Sequence, residues 1–220
     1  MEFNGLRFSE SGGQLTVDGL VDRYYNFPVT IPAEVQGKPV VRIAEGAFMN
    51  TKITGVYIAF PLQSIDASAF MGCEDLEFVR LYHASSIAYS SVLHIGKSAF
   101  ESCSNLETIN VCRSLCLENN AFKNCHKLKY IDAVKSLYSH SFLMCSELST
   151  IYFSNNADVS KFDVSGSCVN FCIFNGNAIV SDLFITSVLS TDCRIECYDS
   201  SNLCDLVYEG IFMNVVEQPF

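Results

Sequence analysis

One motif decides what this chain can fold into: a small residue and then Phe, with Cys, Leu and Ile or Val three, six and nine positions after the Phe. Four copies occur, at residues 69–79, 99–109, 121–131 and 141–151. A repeat of this length cannot bury its apolar face alone, so copies stack and share one core. Hydrophobic residues make up 49% of the chain, which is enough for such a core. The motif therefore predicts a single solenoid.

Each copy contains two segments that predict strands. The copy ends in Leu-x-x-Ile-x-Val or a variant of it, in which alternate residues point into the core. A second extended segment ends at an apolar residue five positions before the Phe. These residues are Ile43, Ile65, Ile95, Leu117 and Leu137. We expect the Phe side chains to form a buried spine, and the small residue before each Phe to let neighbouring coils approach closely.

The spacing of the repeat Phe residues locates an insertion. A divergent copy around Phe48 lacks the Cys, and from it the steps to the next four repeat Phe residues are 22, 30, 22 and 20 positions. The long step holds about eight extra residues near 83–91. Insertions in solenoids emerge as loops on one face, often the binding face. The segment 83–91 is therefore a candidate binding loop.

Past residue 153 the motif is lost but its spacing continues. Phe162 and Phe184 keep the step at 20 and 22 positions, so we predict two degenerate coils rather than a separate domain. Counted nine and eleven positions after each Phe, as in the regular copies, the inward strand residues are Phe171, Ile173, Cys193 and Ile195. The predicted organisation is an N-terminal hairpin cap at 1–28, five repeats at 29–153, degenerate repeats at 154–197 and a C-terminal cap at 198–220, in one continuous structural domain.

The eleven cysteines divide into two groups. Four of them occupy the repeat position and predict a ladder of reduced, buried thiols, because free Cys behaves as a small hydrophobe. These four are Cys73, Cys103, Cys125 and Cys145. Three Cys pairs have the four-residue offset found in some zinc sites, but that offset on a strand separates the thiols too far for chelation, so we expect no metal. A disulfide among Cys168, Cys172, Cys193, Cys197 and Cys204 stays open.

Several elements of the sequence carry a family resemblance. They are residues 29–32 (Val-Thr-Ile-Pro), 37–40 (Gly-Lys-Pro-Val), 43–48 (Ile-Ala-Glu-Gly-Ala-Phe) and 99–109, the best copy of the motif. Together they resemble the BspA-like leucine-rich repeat family, and residues 1–28 resemble its N-terminal hairpin. The resemblance implies a right-handed repeat solenoid, mainly β with short helical or irregular turns, and a binding role. Many members are surface proteins of host-associated microbes and are linked to adhesion.

Charge and targeting signals limit the partners. The net charge is −10, and residues 154–220 hold nine acidic and two basic side chains, which disfavours nucleic acid and anionic membranes as partners. No apolar run is long enough for a membrane span. The first residues lack the basic and apolar regions of a secretory signal, which favours the cytoplasm, whereas the resemblance favours the surface. Localisation therefore stays open.

The sequence contains no known catalytic arrangement. Nucleotide-binding glycine motifs do not occur, and the four His residues do not belong to a known nucleophile motif. The family offers no catalytic residues to transfer, and we expect no cofactor. We therefore predict a non-enzymatic module that binds a protein or a glycan. The alternatives are an intracellular scaffold of the same build and an enzyme whose site lies in residues 154–220.

The predicted binding surface is a stripe of outward residues on the Leu-x-x-Ile strands. Consecutive strands should bring these side chains side by side, and Tyr and Arg are enriched at binding hot spots. The stripe consists of Tyr57, Arg80, Tyr82, Asn110, Asp132 and Tyr152, with Cys172 and Arg194 added by the degenerate coils. Phe78 and Tyr130 on the same strands are expected to add apolar area.

Overall fold

In the computed structural model the chain winds into a solenoid of about seven coils. The described residues are 1–82, 92–110, 114–138, 140–164, 167–197 and 216–217. The predicted loop 83–91 and most of the predicted C-terminal cap lie outside them. We number the coils 1 to 7 by the Phe that each contains: Phe48, Phe70, Phe100, Phe122, Phe142, Phe162 and Phe184. The prediction of a mainly β repeat solenoid is confirmed.

Nearly all regular secondary structure in the described part is β. The strands are β1 (Glu2–Phe3), β2 (Leu6–Ser11), β3 (Gln14–Leu20), β4 (Val29–Ile31), β5 (Glu34–Val35), β6 (Lys38–Ile43), β7 (Gly55–Ala59), β8 (Ser64–Ile65), β9 (Phe78–Tyr82), β10 (Val92–Ile95), β11 (Thr108–Asn110), β12 (Ser114–Leu117), β13 (Tyr130–Ser136), β14 (Thr150–Asp158), β15 (Phe171–Phe174), β16 (Ala178–Ile179), β17 (Arg194–Cys197) and β18 (Val216–Glu217). The helix α1 (Asp182–Leu189) lies in coil 7, where the Ser181 side chain caps it by accepting the Phe184 N–H.

The strands form two parallel walls. The Leu-x-x-Ile strands of the first coils pair in the order β4, β7, β9 and β11 as a separate four-stranded sheet. The strands before each Phe pair in the order β6, β8, β10 and β12 within a fourteen-stranded sheet. Strands β13 and β14 are long enough to take part in both walls. At their N-terminal ends β13 pairs with β14, and β14 with β15. At their C-terminal ends β13 pairs with β12, and β14 with β16.

An antiparallel hairpin covers the N-terminal end of the solenoid. Strands β2 and β3 pair with each other, and β3 then pairs in parallel with β6. Leu6, Phe8 and Leu15 alternate with polar residues and are buried. Gly19 (φ +133°) lies where a Cβ would be 2.4 Å from the carbonyl oxygen of Ala47, so the hairpin backbone meets coil 1 at a distance that only glycine allows.

The third side of the solenoid is a hydrogen-bonded turn around each Phe. The N–H of Phe48, Phe70, Phe100 and Phe122 donates to the carbonyl of the small residue before the next Phe, at 2.7–2.9 Å. In coils 1 to 5 the residue two positions before each Phe has φ between +55° and +66°. The residue two positions after each Phe has φ between +57° and +72°. These left-handed positions are Gly46, Ser68, Ser98, Asn120 and His140 before the Phe, and Asn50, Gly72, Ser102, Asn124 and Met144 after it. They turn every second peptide group toward the next coil.

The Phe side chains form the predicted spine. Rings of Phe48, Phe70, Phe100, Phe122 and Phe142 are fully buried and stack with centroids 4.9–5.8 Å apart and interplanar angles of 1–10°. The small residues before the Phe are buried too, which allows the close approach of the coils: Ala69, Ala99, Ala121 and Ser141 are all at 0% exposure. Each ring thus contributes both apolar burial and aromatic packing.

The four repeat cysteines form the predicted ladder of buried, free thiols. Each S–H donates to the carbonyl of the Phe in the preceding coil, at 2.9–3.1 Å, in the pairs Cys73–Phe48, Cys103–Phe70, Cys125–Phe100 and Cys145–Phe122. Burial raises the pKa of all four, and that of Cys145 to about 12. In coil 1 Thr51 holds this position and donates instead to Phe48 of its own coil, at 2.8 Å.

Coils 6 and 7 continue the walls without the spine. Phe162 is buried but meets Phe142 edge-on, at 6.4 Å and 85°. In coil 6 the inward residues of β15 are Cys172 and Phe174, both at 0% exposure. The prediction of Phe171 and Ile173 was therefore one residue off. Coil 6 needs one residue more between its Phe and β15 than the regular coils do.

Candidate binding surface

An aromatic cluster lies on the outer face of the four-stranded sheet. Strand residues of even and odd position point to opposite faces, so Gly55 and Tyr57 of β7 point outward with Phe78 and Arg80 of β9. Gly55 pairs directly with Phe78, and Tyr57 with Arg80. A Cβ on Gly55 would lie 2.2 Å from Cζ of Phe78, so the Phe78 ring covers the bare backbone of the neighbouring strand.

Tyr57 and Arg80 both pack against the Phe78 ring. The Tyr57 ring packs edge-on, with centroids 5.2 Å apart and an angle of 61°. The guanidinium carbon of Arg80 lies 4.7 Å from the centroid of Phe78, within cation–π range. Arg80 is exposed, and no carboxylate of the described residues forms an ion pair with it. The cluster thus presents an oriented positive charge beside half-buried aromatic surface.

The register extends this cluster into a row. Thr30 is the partner of Tyr57 on one side, and Asn110 is the partner of Arg80 on the other. Thr30 and Asn110 are exposed. Tyr57, Arg80 and Asn110 are therefore adjacent, and they form the part of the predicted stripe that lies within the four-stranded sheet.

The other members of the stripe lie past an interruption in the backbone pairing, although β11 and β13 are neighbouring strands. Within the described residues β11 pairs only with β9, so Asp132 on β13 and Tyr152 on β14 belong to the larger sheet. Asp132 is exposed, and its Oδ1 accepts the N–H of Ala133 at 2.7 Å. Tyr130, beside it, is 41% exposed. The side chain of Tyr82 lies outside the described part, although its backbone pairs with Ala59.

The extension into the degenerate coils was wrong for Cys172. Cys172 pairs with Ile151 and is fully buried, while Ile173 holds the outward position beside Tyr152. Arg194 is exposed and pairs with Phe171. The sequence analysis named Phe78 only for its apolar area and missed Gly55, which gives the cluster its shape. A glycine inside a strand pattern marks a close approach, and that signal was available.

Three further features of the described residues bear on the chemistry of the surface. No group of three or more His, Cys, Asp or Glu is placed to hold a metal ion there. An open depression of about 380 Å³ beside the N-terminal hairpin is lined by exposed Arg7, Asp18 and Arg23. In coil 6 the hydrogen bonds from Ser160 lower the pKa of Asp158, which is the signature of a local turn.

No helix of the described part is long and apolar enough to cross a membrane.

Comparison with known proteins identifies the repeat. The family model of the BspA-type leucine-rich repeat region matches residues 41–91 and 83–177, with six copies. The crystal structure of a leucine-rich repeat protein of T. pallidum is similar, with a TM-score of 0.62 and 18% identity over 89% of this chain and 97% of that one. A leucine-rich cell surface protein of Faecalibacterium prausnitzii gives 0.60 and 19%, over 92% of this chain and 55% of that one. The search of curated proteins gives no match.

Proposed function

The chain belongs to the BspA-type leucine-rich repeat family, whose repeats generally bind proteins, and we propose that it is a non-enzymatic module that binds a protein on its four-stranded sheet. One observation carries the proposal: Arg80 lies over Phe78 beside Tyr57, on an outward face. Interface hot spots are enriched in Arg and Tyr. Packing against Phe78 restricts the rotamers of Arg80, so that less entropy is lost when a partner binds.

The charge of Arg80 defines the chemistry of the partner. A guanidinium that forms no ion pair with a carboxylate of the described residues can bind an Asp or Glu side chain of a partner in the bidentate geometry that suits both groups. The neighbouring rings of Tyr57 and Phe78 favour an aliphatic or aromatic side chain next to that acid. The proposed partner is therefore a protein loop or strand that presents an acidic residue beside an apolar one.

We further propose that this binding serves adhesion at a microbial cell surface. The similar Faecalibacterium protein is described as a cell surface protein, and a sheet face that takes one protein segment suits an adhesive contact. A glycan ligand is the rival chemistry, because aromatic rings also stack on sugars. The experiment below separates the two.

Site-specific photo-crosslinking tests the proposal directly. A photoreactive amino acid at Thr30 lies beside Tyr57 on the proposed face, and the same probe at Lys127 lies in an exposed turn away from this sheet. Partner fractions are irradiated with each protein, and the crosslinked species is identified by mass spectrometry. We expect one species from position 30 only, sensitive to protease and unaffected by deglycosylation. Its affinity is then measured with the identified protein.

Two single variants decide whether the cluster is responsible. Arg80→Ala and Tyr57→Ala should each weaken binding about 30-fold, as hot-spot truncations of about 2 kcal/mol do. Lys127→Ala also removes one positive charge and should leave the affinity unchanged. Equal affinity of all three variants would reject this face as the binding site. Crosslinks that survive protease but not deglycosylation would replace the protein partner by a glycan.

A further inference from the structure

Two cysteines meet in the core between coils 6 and 7. Cys172 lies on β15, and Cys193 stands directly before β17, the next strand of the wall. Both are buried, at 0% and 2% exposure. Their sulfur atoms are 3.7 Å apart. The two sulfurs are thus in hydrogen-bond contact within the core.

The pair differs from the repeat cysteines in what each thiol contacts. In coils 2 to 5 each S–H points to a backbone carbonyl of the preceding coil, so neighbouring ladder sulfurs do not bond to each other. In the last coils the strand register shifts, and Cys193 S–H donates to Cys172 Sγ. Cys172 and Cys193 lie ten and nine positions after Phe162 and Phe184, whereas the ladder cysteines lie three positions after their Phe. The sulfur–sulfur contact is therefore separate from the thiol ladder.

The two thiols are close enough to be joined. A disulfide needs an S–S distance of about 2.05 Å, so the sulfurs have to move together by less than about 2 Å. When Cys193 ionises, the Cys172 thiol can donate to its thiolate, and this hydrogen bond lowers the pKa of Cys193 and raises that of Cys172. The thiolate is the nucleophile of thiol–disulfide exchange, so Cys193 is the attacking residue.

We propose that Cys172 and Cys193 are a redox-convertible dithiol, which a low-molecular-weight disulfide such as oxidised glutathione converts into a covalent link between coils 6 and 7. Cys193 is 2% exposed, so the exchange takes place when coil 7 opens locally. The Cys193 thiolate then attacks one sulfur of the glutathione disulfide, forms a mixed disulfide and releases one glutathione thiolate. Cys172 then loses its proton to solvent and attacks Cys193 Sγ, which releases the second glutathione. Two protein thiols are oxidised and one disulfide is reduced to two thiols.

The link would close a short loop and fix the end of the solenoid. The two residues are 21 positions apart, and closing such a loop removes conformations mainly from the unfolded chain. The dithiol form persists in a reducing compartment and the disulfide form in an oxidising one. The state of this pair in cells would therefore report the compartment, whether or not the sheet face binds a protein.

The test uses the full chain equilibrated in glutathione buffers of increasing oxidised fraction. Samples are acid-quenched, alkylated and digested, and cysteine peptides are mapped by mass spectrometry. We expect a Cys172–Cys193 peptide with the loss of two hydrogens, while Cys103 and Cys125 stay alkylatable. The disulfide should raise Tm by roughly 5–10 °C. Cys168→Ser removes an exposed thiol of the same coil and should leave the Cys172–Cys193 bond intact.

Two results would overturn the proposal. One is that Cys172 and Cys193 stay free at the oxidant ratio that fully converts exposed Cys168 into its glutathione adduct. The other is that either residue pairs with a different cysteine in wild-type protein that keeps its native circular dichroism. Because peptide mapping of the wild type gives the answer, the test does not depend on a variant that fails to fold. Cys193→Ala, where it folds, should abolish the rise in Tm.

Discussion

Coils 2 to 5 and coils 6 to 7 have the same walls but different cores. In the first group one near-parallel stack of Phe rings runs beside one ladder of thiols that donate to carbonyls. In the second group Phe162 stands edge-on to the stack, and a second stack starts from Phe153 and Phe174, whose rings are 4.5 Å apart. The parallel strand pairing persists through both groups.

The comparison separates two kinds of sequence information. Coil length fixes where the strands fall, because each coil must return to the same wall, and that length is kept at 20–22 residues in coils 5 to 7. Residue identity fixes the ladders, because a stack or a thiol ladder needs the same side chain at the same place in successive coils. Coils 6 and 7 keep the coil length but lose the repeated residue types. The strand walls therefore continue, whereas the Phe stack and the thiol ladder stop.

The largest effect expected is the loss of a ring from the middle of the stack. Phe100→Ala removes a fully buried ring with a parallel neighbour on each side and should lower the free energy of unfolding by about 3–5 kcal/mol. Phe162→Ala removes an equally buried ring whose neighbours lie 6.2–6.4 Å away, and should cost about 1 kcal/mol less. Urea unfolding measures both. A larger loss for Phe162→Ala would show that the stack adds nothing beyond burial.

Alkaline pH should weaken the thiol ladder. Burial raises the pKa of Cys145 from 9.0 to about 12, so between these values the folded chain holds a proton that the unfolded chain has released. The stability from this thiol is complete below pH 9 and falls as pH rises toward 12, by about 1.4 kcal/mol per unit. At pH 10.5 that amounts to about 2 kcal/mol. The free energy of unfolding is measured at pH 7.5 and 10.5 in the wild type and in Cys145→Ala, which should lose less stability over this interval.

Parallel pH slopes for the wild type and Cys145→Ala would contradict a buried, protonated Cys145. Alkylation provides a second check on the same ladder. Native protein should react at exposed Cys168 and spare Cys145 until it unfolds, because the thiolate is the reactive form and access is closed.

Much of this arrangement followed from the sequence, and the reasons are physical. The repeated Phe, Cys and small residue fix the spine, the thiol ladder and the close approach of coils, because each needs one residue type at one place per turn. The spacing of Phe162 and Phe184 extended the solenoid. The register in coil 6 did not follow, since spacing between Phe residues does not say where a single extra residue enters, and this error also placed Cys172 outside.

The candidate surface followed only in part. Tyr57, Arg80 and Asn110 came from alternation along the strands, which is a local rule. The interruption of the backbone pairing between β11 and β13 is a long-range property that alternation does not contain. Gly55 was overlooked because its role appears only when the partner strand places Phe78 on it.

A smaller effect is expected for the ion pair that ties coil 3 to coil 4. Partial burial of Glu101 opposes ionisation, but hydrogen bonds from Ser98 and Lys123 outweigh it and lower the pKa of this carboxyl. Lys123 Nζ lies 2.9 Å from Glu101, with side chains 31% and 15% exposed. Lys123→Met should cost about 0.5–1 kcal/mol at pH 7, after allowance for solvent screening.

The acid limb of the pH profile tests that pair. Because the pKa of Glu101 is lower in the folded chain than in the unfolded chain, its contribution to stability is present above the unfolded-state pKa and is lost as pH falls. The free energies of unfolding of the wild type and Lys123→Met should therefore converge near pH 3. Lys129→Met removes the more exposed pair with Glu107 and should cost less than about 0.5 kcal/mol. Equal losses for Lys123→Met and Lys129→Met would mean that burial of the pair does not matter.

The smallest effect concerns Met144, where the regular pattern starts to fail. Its backbone is left-handed, with φ +62°, a conformation that costs a residue with an ordinary side chain about 1–2 kcal/mol relative to Gly. The same position in coil 4 is Asn124, also at φ +62°, whose side-chain amide donates to Ser102 of coil 3 at 3.3 Å. Asn tolerates this conformation through local hydrogen bonds, so Met144→Asn should stabilise the chain by about 0.5–1 kcal/mol.

Met49 is the matched control for this change. It is 40% exposed and lies in the turn of coil 1, directly before left-handed Asn50 and outside the positive-φ positions. Met49→Asn should therefore leave the free energy of unfolding unchanged or lower it, because no strain is relieved. A gain at both sites would assign the effect to the replacement of an exposed apolar side chain by a polar one, and a loss at Met144 would mean that its side chain packs against coil 6. A gain at Met144 alone would show that coil 5 already carries an unfavourable residue at a left-handed turn position, one coil before the Phe stack breaks.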